Sequence, residues 1–233
     1  MRSADGRTWT SVPLDRVADM RGMVVKGDTV FAVDAGGGIF KGSLTSGSIA
    51  RVAQARLPLT AVALRDRLVV AAGHGGILLE SQDLGLTWQE VSTGSTADAV
   101  GLVAGTSTTA TFLLATVDGK CFARSGYASG AWVSVNVIPS GSLPISSVKL
   151  VKNDYFVFGN GNPVSWDGAL GVDGKMLSTP VSHVLSILQN TAAYRDLIHS
   201  GTNYFALLRG GVMMSGSDNE FPGMGSIALI PQI

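Results

Sequence analysis

The residues of this chain best placed to do chemistry are a few carboxylates, one imidazole and one thiol. Asp83 stands in Ser81-Gln82-Asp83-Leu84-Gly85-Leu86-Thr87-Trp88, and Asp5 stands in Ser3-Ala4-Asp5-Gly6-Arg7-Thr8-Trp9, the same pattern one residue shorter. Carboxylates are the usual general acids and bases. These two sit among residues that point to a different task. An Asp followed by Gly and Thr can accept hydrogen bonds from backbone N–H groups a few residues on, closing a tight loop without a helix. Gly6 and Gly85 supply positive φ. The hydroxyls of Ser3, Ser81, Thr8 and Thr87 satisfy further backbone groups. Trp9 and Trp88 open the next strand and bury a large ring. Both segments are therefore read as structural turns, and no catalytic residue is nominated.

The remaining candidates are scattered. His74 lies in Gly73-His74-Gly75-Gly76, where flanking glycines suit a tight turn or a ligand loop. His183 and His199 are distant from it in sequence, and no spacing suggests a metal site or a cofactor. Gly36-Gly37-Gly38 has no helix after it and is a turn rather than a phosphate loop. Gly159-Asn160-Gly161-Asn162-Pro163 is likewise a turn. Cys121 is the single cysteine, so no intrachain disulfide is possible, and its strand-like setting predicts a buried, inert thiol. Trp132 and Trp166 can stack on sugars if exposed, but they fall where Trp88 packs in its own repeat, which predicts core positions.

The elements that hold these residues repeat. Val30–Ser43, Leu68–Ser81 and Phe112–Ser125 each give an apolar strand, a Gly-rich or Asp-Gly turn, a second apolar strand and a Ser-centred turn. Tyr155–Gly168 and Tyr204–Ser217 are more worn copies. The first strand of each is almost wholly apolar, as a strand buried on both faces reads. An apolar run precedes each copy, such as Thr60–Leu64 or Ser147–Val151. A more alternating one follows, such as Trp132–Ile138, as a strand with one wet face requires. Four strands per unit at a period of roughly 40 residues is the unit of a β-propeller. The predicted fold is all-β, a β-propeller of five to six four-stranded blades, with a β-sandwich or β-helix as the fallback. Residues 1–233 are read as one domain. Residues 1–13 form an isolated turn and strand (Thr8 to Pro13), and residues 14–233 form about five blade repeats. Ser186–Ile198 is read as strand, loop and strand, and Phe221–Ile233 as a turn and a last apolar strand.

Composition narrows the function classes. Lys and Arg number 17, as do Asp and Glu, so the net charge is zero. That argues against a nucleic-acid partner, which calls for a basic face. Arg51, Arg56, Arg65 and Arg67 form a mild basic cluster read as solvated strand ends. Hydrophobic residues make up 45% and charged residues 15%, yet Gly and Ser interrupt every apolar run short of a membrane span, so no membrane insertion is expected. The apolar excess belongs in a strand-rich core or under a partner. The opening Met-Arg-Ser-Ala-Asp-Gly has no apolar stretch of the signal-peptide kind.

Ser81–Trp88 and Ser3–Trp9 resemble the Asp-box, or BNR repeat, a turn between two strands of a propeller blade. The resemblance implies a structural role for Ser3, Asp5, Gly6, Thr8, Trp9, Ser81, Asp83, Gly85, Thr87 and Trp88. Asp-boxes also occur in sialidases, whose chemistry uses an arginine cluster, a Tyr nucleophile backed by Glu, and an Asp acid/base. Here the only glutamates are Glu80, Glu90 and Glu220, the first two flanking the second box, and no Arg-Ile-Pro motif stands near the start. Gly73–Trp88 is similar to blades of photosystem II assembly-factor (Ycf48-like) propellers. The opening Arg2–Trp9 and the Ser/Thr/Gly-rich later repeats look more like propellers of tailed-bacteriophage virion proteins. The expectation is a non-enzymatic virion component of a tail, tail fibre or receptor-binding assembly. Its expected partners are other virion or assembly proteins, a second copy of itself or a host-surface glycan. The alternatives are a cytoplasmic or periplasmic assembly scaffold of the Ycf48-like type, or a carbohydrate-binding or sialidase-like propeller.

Overall fold

A computed structural model describes residues 3, 5–12, 19–127, 130–138, 144–159, 164–182, 194–200, 203–208 and 213–217, with only the backbone for the last three stretches. The chain divides into two units, residues 1–99 and 100–233. Each is built from antiparallel sheets whose strands neighbour one another in chain order.

The first unit holds two sheets. One is β1 (Met20–Lys26), β2 (Thr29–Asp34), β3 (Gly38–Ser43) and β4 (Ile49–Gln54), in the order β1-β2-β3-β4. The other is β5 (Leu59–Arg65), β6 (Leu68–Gly73), β7 (Leu78–Ser81) and β8 (Gln89–Glu90), in the order β5-β6-β7-β8. The second strands are the buried ones, as their apolar runs require: Phe31 and Val33 of β2 and Val69 and Ala71 of β6 join one core with Ile39, Leu59 and Leu79. The sheets approach closely because Gly22 has no side chain. A Cβ there would lie 3.1 Å from the Ala61 Cα and 3.1 Å from the Thr60 carbonyl oxygen.

The second unit repeats the design. β9 (Ala99–Ala104), β10 (Ala110–Thr116), β11 (Cys121–Ser125) and β12 (Trp132–Val135) form one sheet. β13 (Ile145–Val151), β14 (Asp154–Gly159), β15 (Val164–Trp166) and β16 (Val181–Ser182) form the next. β17 (Tyr194–Ser200), β18 (Asn203–Leu208) and β19 (Met213–Ser217) form a three-stranded sheet. Leu113, Tyr155, Val157 and Trp166 centre the second core. The Tyr155 hydroxyl donates to the Ala110 carbonyl at 2.8 Å, and its ring stacks on Trp166 at 5.8 Å between centroids.

The fifth repeat read from the sequence, Tyr204–Ser217, falls on β18 and β19 of the three-stranded sheet; each of the other four is the middle of one four-stranded sheet. The preceding and following runs are its first and fourth strands, and the fourth is shorter than expected: Trp132–Val135 in place of Trp132–Ile138. Of the strand expected at Thr8–Pro13, the described residues show a single bridge at Thr10. Residues 5–11 are exposed, so no buried face holds a longer strand there. Pro13, the 186–193 part of the strand–loop–strand region, and the tail Phe221–Ile233 lie outside the described residues. Among the described residues the one helical piece is a 3₁₀ turn at His74–Gly76, and no helix is long and apolar enough to cross a membrane.

Candidate interaction site

The two Asp turns are built from the same hydrogen bonds. In the first, the Ser3 hydroxyl donates to Asp5 Oδ1 at 2.9 Å and accepts from the Gly6 N–H at 2.8 Å. Asp5 Oδ1 accepts the Arg7 and Thr8 N–H groups at 2.8 and 2.7 Å, and Oδ2 accepts the Thr8 hydroxyl at 3.1 Å. In the second, the Ser81 hydroxyl donates to Asp83 Oδ1 at 2.8 Å and accepts from the Gly85 N–H at 2.7 Å. Asp83 Oδ1 accepts the Leu86 and Thr87 N–H groups at 3.0 and 2.9 Å, and Oδ2 accepts the Thr87 hydroxyl at 2.6 Å. The extra residue of the longer turn is absorbed by two left-handed positions, Leu84 at φ 58° and Gly85 at φ 83°, against Gly6 alone at φ 71°. So many donors on one carboxylate hold both Asp5 and Asp83 well below the usual carboxylate range. An ionised acceptor saturated by its own turn is a staple, and carries no proton for a substrate at neutral pH.

The surroundings of the two turns differ. Ser81 and Gly85 are buried, and Leu84 and Trp88 pack on the core around Phe31. Lys41 lies over the Phe31 ring at 5.7 Å and donates to the Leu84 carbonyl at 2.7 Å, while the Leu84 N–H donates to the Arg67 carbonyl at 3.0 Å. The first sheet thereby clamps the second turn. Among the described residues nothing comparable covers the first turn. A Cβ on Gly6 would meet no atom within 4 Å, and Trp9 keeps 56% of its surface exposed.

Beside the first turn runs an apolar groove of about 500 Å³. Met20, Met23, Val25, Val30, Ala32 and Ile49 line it from the first sheet, and Ser3 and Val12 border it from the N-terminal segment. Strand register explains the lining. Val25, Val30, Gly42 and Ile49 pair across the sheet, as do Met23, Ala32 and Phe40, so their side chains share one face. The other face carries Phe31, Val33 and Ile39 into the core. Met23 is 68% and Val25 44% exposed, and Met20 and Leu44 are exposed with them. Sequence reasoning did not single out these methionines. Their signal is the alternation in Met20-Arg-Gly-Met-Val-Val, whose outward members are apolar where a wet face calls for polar residues.

The other candidates resolve into local structure. The His74 Nδ1 lies 3.0 Å from Asp98 Oδ2, and Asp98 Oδ1 accepts the Gly75 N–H at 2.8 Å. Gly75 and Gly76 both have positive φ, so the glycines build the turn that carries the imidazole. Arg56 pairs with Glu90 through two bonds of 2.9 and 3.3 Å, at the surface. Asp34 Oδ1 accepts the Gly36 and Gly38 N–H groups, fixing the triple-glycine turn. Cys121 is buried, and loss of water pushes its thiol up to about 12. Trp166 is buried, its indole N–H on the Ser178 hydroxyl, and presents no face to a sugar, whereas Trp132, expected in the core as well, is only half-buried on the edge strand β12. Two turns without a box Asp recruit other groups. At Ser43 the Thr45 N–H is taken by Asp28 at 2.7 Å, and at Ser125 the Tyr127 N–H donates to the hydroxyl at 3.2 Å. Among the described residues no three His, Cys, Asp or Glu side chains gather as a metal site.

No protein-family model matches the chain. No curated protein matches it by sequence. Solved structures do. The chain superposes on YCF48 bound to D1 peptide with a TM-score of 0.67 and 9% identity, covering 93% of this chain and 70% of that one. With the RRP9 WD40 repeats the TM-score is 0.65 at 11% identity, covering 87% and 61%. With the computationally designed Ika8 protein it is 0.63 at 16% identity, covering 95% and 68%. The chain thus spans less than two thirds of the RRP9 structure. The fold is a β-propeller fold of four-stranded antiparallel sheets, as the repeat predicts. Identities this low establish fold alone, and one fold hosts many functions.

Proposed function

We propose that the chain is a non-enzymatic interaction protein whose partner is another protein, held at the apolar groove beside β1. The observation that carries this reading is the groove itself. Exposed Met20, Met23, Val25 and Leu44 form a contiguous apolar surface on one sheet, and such patches mark protein contacts. Methionine suits this task because its flexible, polarizable side chain adapts to a partner. YCF48, a propeller of similar fold, is solved with a bound D1 peptide, which supports a protein or peptide as the kind of ligand. The saturated bonding of Asp5 and Asp83 supports a structural rather than a catalytic use of the two turns.

The finer reading is a virion component, in a tail or receptor-binding assembly of a tailed bacteriophage. It rests on the Asp-box-like opening Arg2–Trp9, the sparse charge and the Ser/Thr/Gly-rich later repeats. The test is immunogold microscopy of purified particles with an antibody to the chain, alongside mass spectrometry of their proteins. Label on tails or fibres is the expected outcome. Recovery of the chain only with a cellular membrane-protein complex would replace the virion reading with that of an assembly scaffold, and no recovery with any partner would sink both.

A further inference from the structure

We infer that Met23, with Met20 beside it, is a peroxide-sensitive modification site, and that its oxidation turns the groove from an apolar to a polar surface. The inference rests on the interaction reading above and names how that site is controlled. Its basis is a comparison between the two sheets of the first unit. Their first hairpins share one register: Met20 pairs with Asp34 and Met23 with Ala32, as Leu59 pairs with Gly73 and Val62 with Ala71. Each first strand is bulged at the same place, between Met20 and Gly22 and between Leu59 and Ala61. The bulge brings residues three apart onto one face. Leu59 and Val62 thus hold in the second sheet the places of Met20 and Met23 in the first, and both are buried in the core. Where the position is covered it holds a hydrocarbon; where it opens on the groove it holds a thioether.

A thioether is an apolar group that a mild oxidant makes polar and a reductase restores. Met23 is 68% and Met20 37% exposed, so a peroxide has access to both side chains. Met176, by contrast, is partly buried against the core of the second unit. The oxidation needs only hydrogen peroxide. A sulfur lone pair attacks one peroxide oxygen, the O–O bond breaks, a sulfur–oxygen bond forms, and the other oxygen leaves with both protons as water. The sulfide is oxidised to the sulfoxide and the peroxide is reduced. The new sulfoxide oxygen lies among Val25, Val30 and Ala32. An apolar partner would have to strip it of water without replacing the hydrogen bonds, which is costly. The core is spared, because Phe31, Val33 and Ile39 enter it from the other face of the same sheet.

The test treats the whole chain with dilute hydrogen peroxide and follows two quantities against time. Peptide mass spectrometry reads the gain of one oxygen at each methionine. The fluorescence of anilinonaphthalene sulfonate, a dye that lights up on apolar surfaces, reports the groove. Met23 should gain oxygen first, Met20 next and Met176 last, with the far-UV circular dichroism unchanged. Most of the dye signal should be lost as Met23 is oxidised, and methionine sulfoxide reductases should restore it. A double variant, Met20→Leu with Met23→Leu, should bind the dye and keep its signal through the same treatment. Oxidation of Met176 ahead of Met23, unfolding of the oxidised chain, a wild-type dye signal that does not fall, or an equal fall in the double variant would each overturn the inference. The protein-partner reading fails on a different result: it falls only if the unoxidised chain joins no particle and no other protein.

Discussion

Gly85 lies against the ring of Phe31, at a distance that leaves no room for a side chain: a Cβ would stand 2.7 Å from Cε1 and 3.0 Å from Cζ. The contact joins two sheets of the first unit at the turn between β7 and β8. Gly6 holds the corresponding place in the first turn with open space around it.

Replacing each glycine by alanine separates the two costs. Both sit at positive φ, 83° and 71°, and alanine there costs about 1–2 kcal/mol in backbone strain. Gly85→Ala adds overpacking against Phe31, about 1–3 kcal/mol more. Chemical denaturation should show Gly85→Ala destabilised by clearly more than Gly6→Ala. Equal losses would mean that the ring yields freely and does not clamp the turn.

The Asp83 carboxylate makes stability depend on acid. Its folded pKa lies below the unfolded value, near 3.9, because the Thr87 hydroxyl, the Thr87 N–H and the Ser81 hydroxyl all favour the ionised form. Between the two values the unfolded chain binds more protons than the folded one, so stability rises with pH there. The contribution is full above the unfolded value and is lost as pH falls through the folded one. Asp83→Asn keeps the shape and removes the charge. Thermal midpoints from pH 7 to 2 should fall less steeply on the acid side for Asp83→Asn than for wild type. Parallel curves would show that the turn does not depend on the ionised carboxylate.

The sheets were legible in sequence because their second strands are buried on both faces. Phe31-Ala-Val and Leu113-Leu-Ala announce this without any alignment. The turns were legible because one Asp must bond several N–H groups, which fixes Ser, Gly and Thr around it. The groove was not. Val25 and Val30 look like core residues in sequence, and only their register shows that they face away from Phe31. The contrast between Trp9 and Trp88 was also hidden, since two equal motifs differ only in what lies next to them. Asp28 was illegible for a related reason: it serves a turn 17 residues ahead, across a hairpin.

Cys121 gives a prediction about reactivity. Burial in β11 raises its thiol pKa to about 12, so at neutral pH the thiolate, the reactive form, is scarce. A thiol reagent should label the native chain far more slowly than the denatured chain, with a rate that follows unfolding. Rapid labelling of the native chain would mean that β11 opens readily or that the thiol is not enclosed.

Tyr155 ties three parts of the second unit together, which makes its hydroxyl a sharper probe than its ring. The hydroxyl donates to the Ala110 carbonyl at the start of β10, and the residue has no exposed surface. Gly105 makes room for it, since a Cβ there would fall 1.8 Å from the hydroxyl oxygen, and Gly168 does the same at the ring edge, 2.8 Å from Cε2. Tyr155→Phe keeps the stacking on Trp166 and removes only the donor. The bond itself is worth about 1 kcal/mol, and a carbonyl left buried without a partner costs about 1–3 kcal/mol. Gly105→Ala drives a methyl into the same space and cannot be accommodated without moving Tyr155, so it should cost more. Trp166 fluorescence checks the mechanism as well as the size of the effect. Tyr155→Phe should leave the emission of a folded chain unchanged, whereas Gly105→Ala should shift it by displacing the stacked ring. If Gly105→Ala were as mild as Tyr155→Phe and left Trp166 unperturbed, the close approach of the β9–β10 connection to Tyr155 would not be what holds this core together.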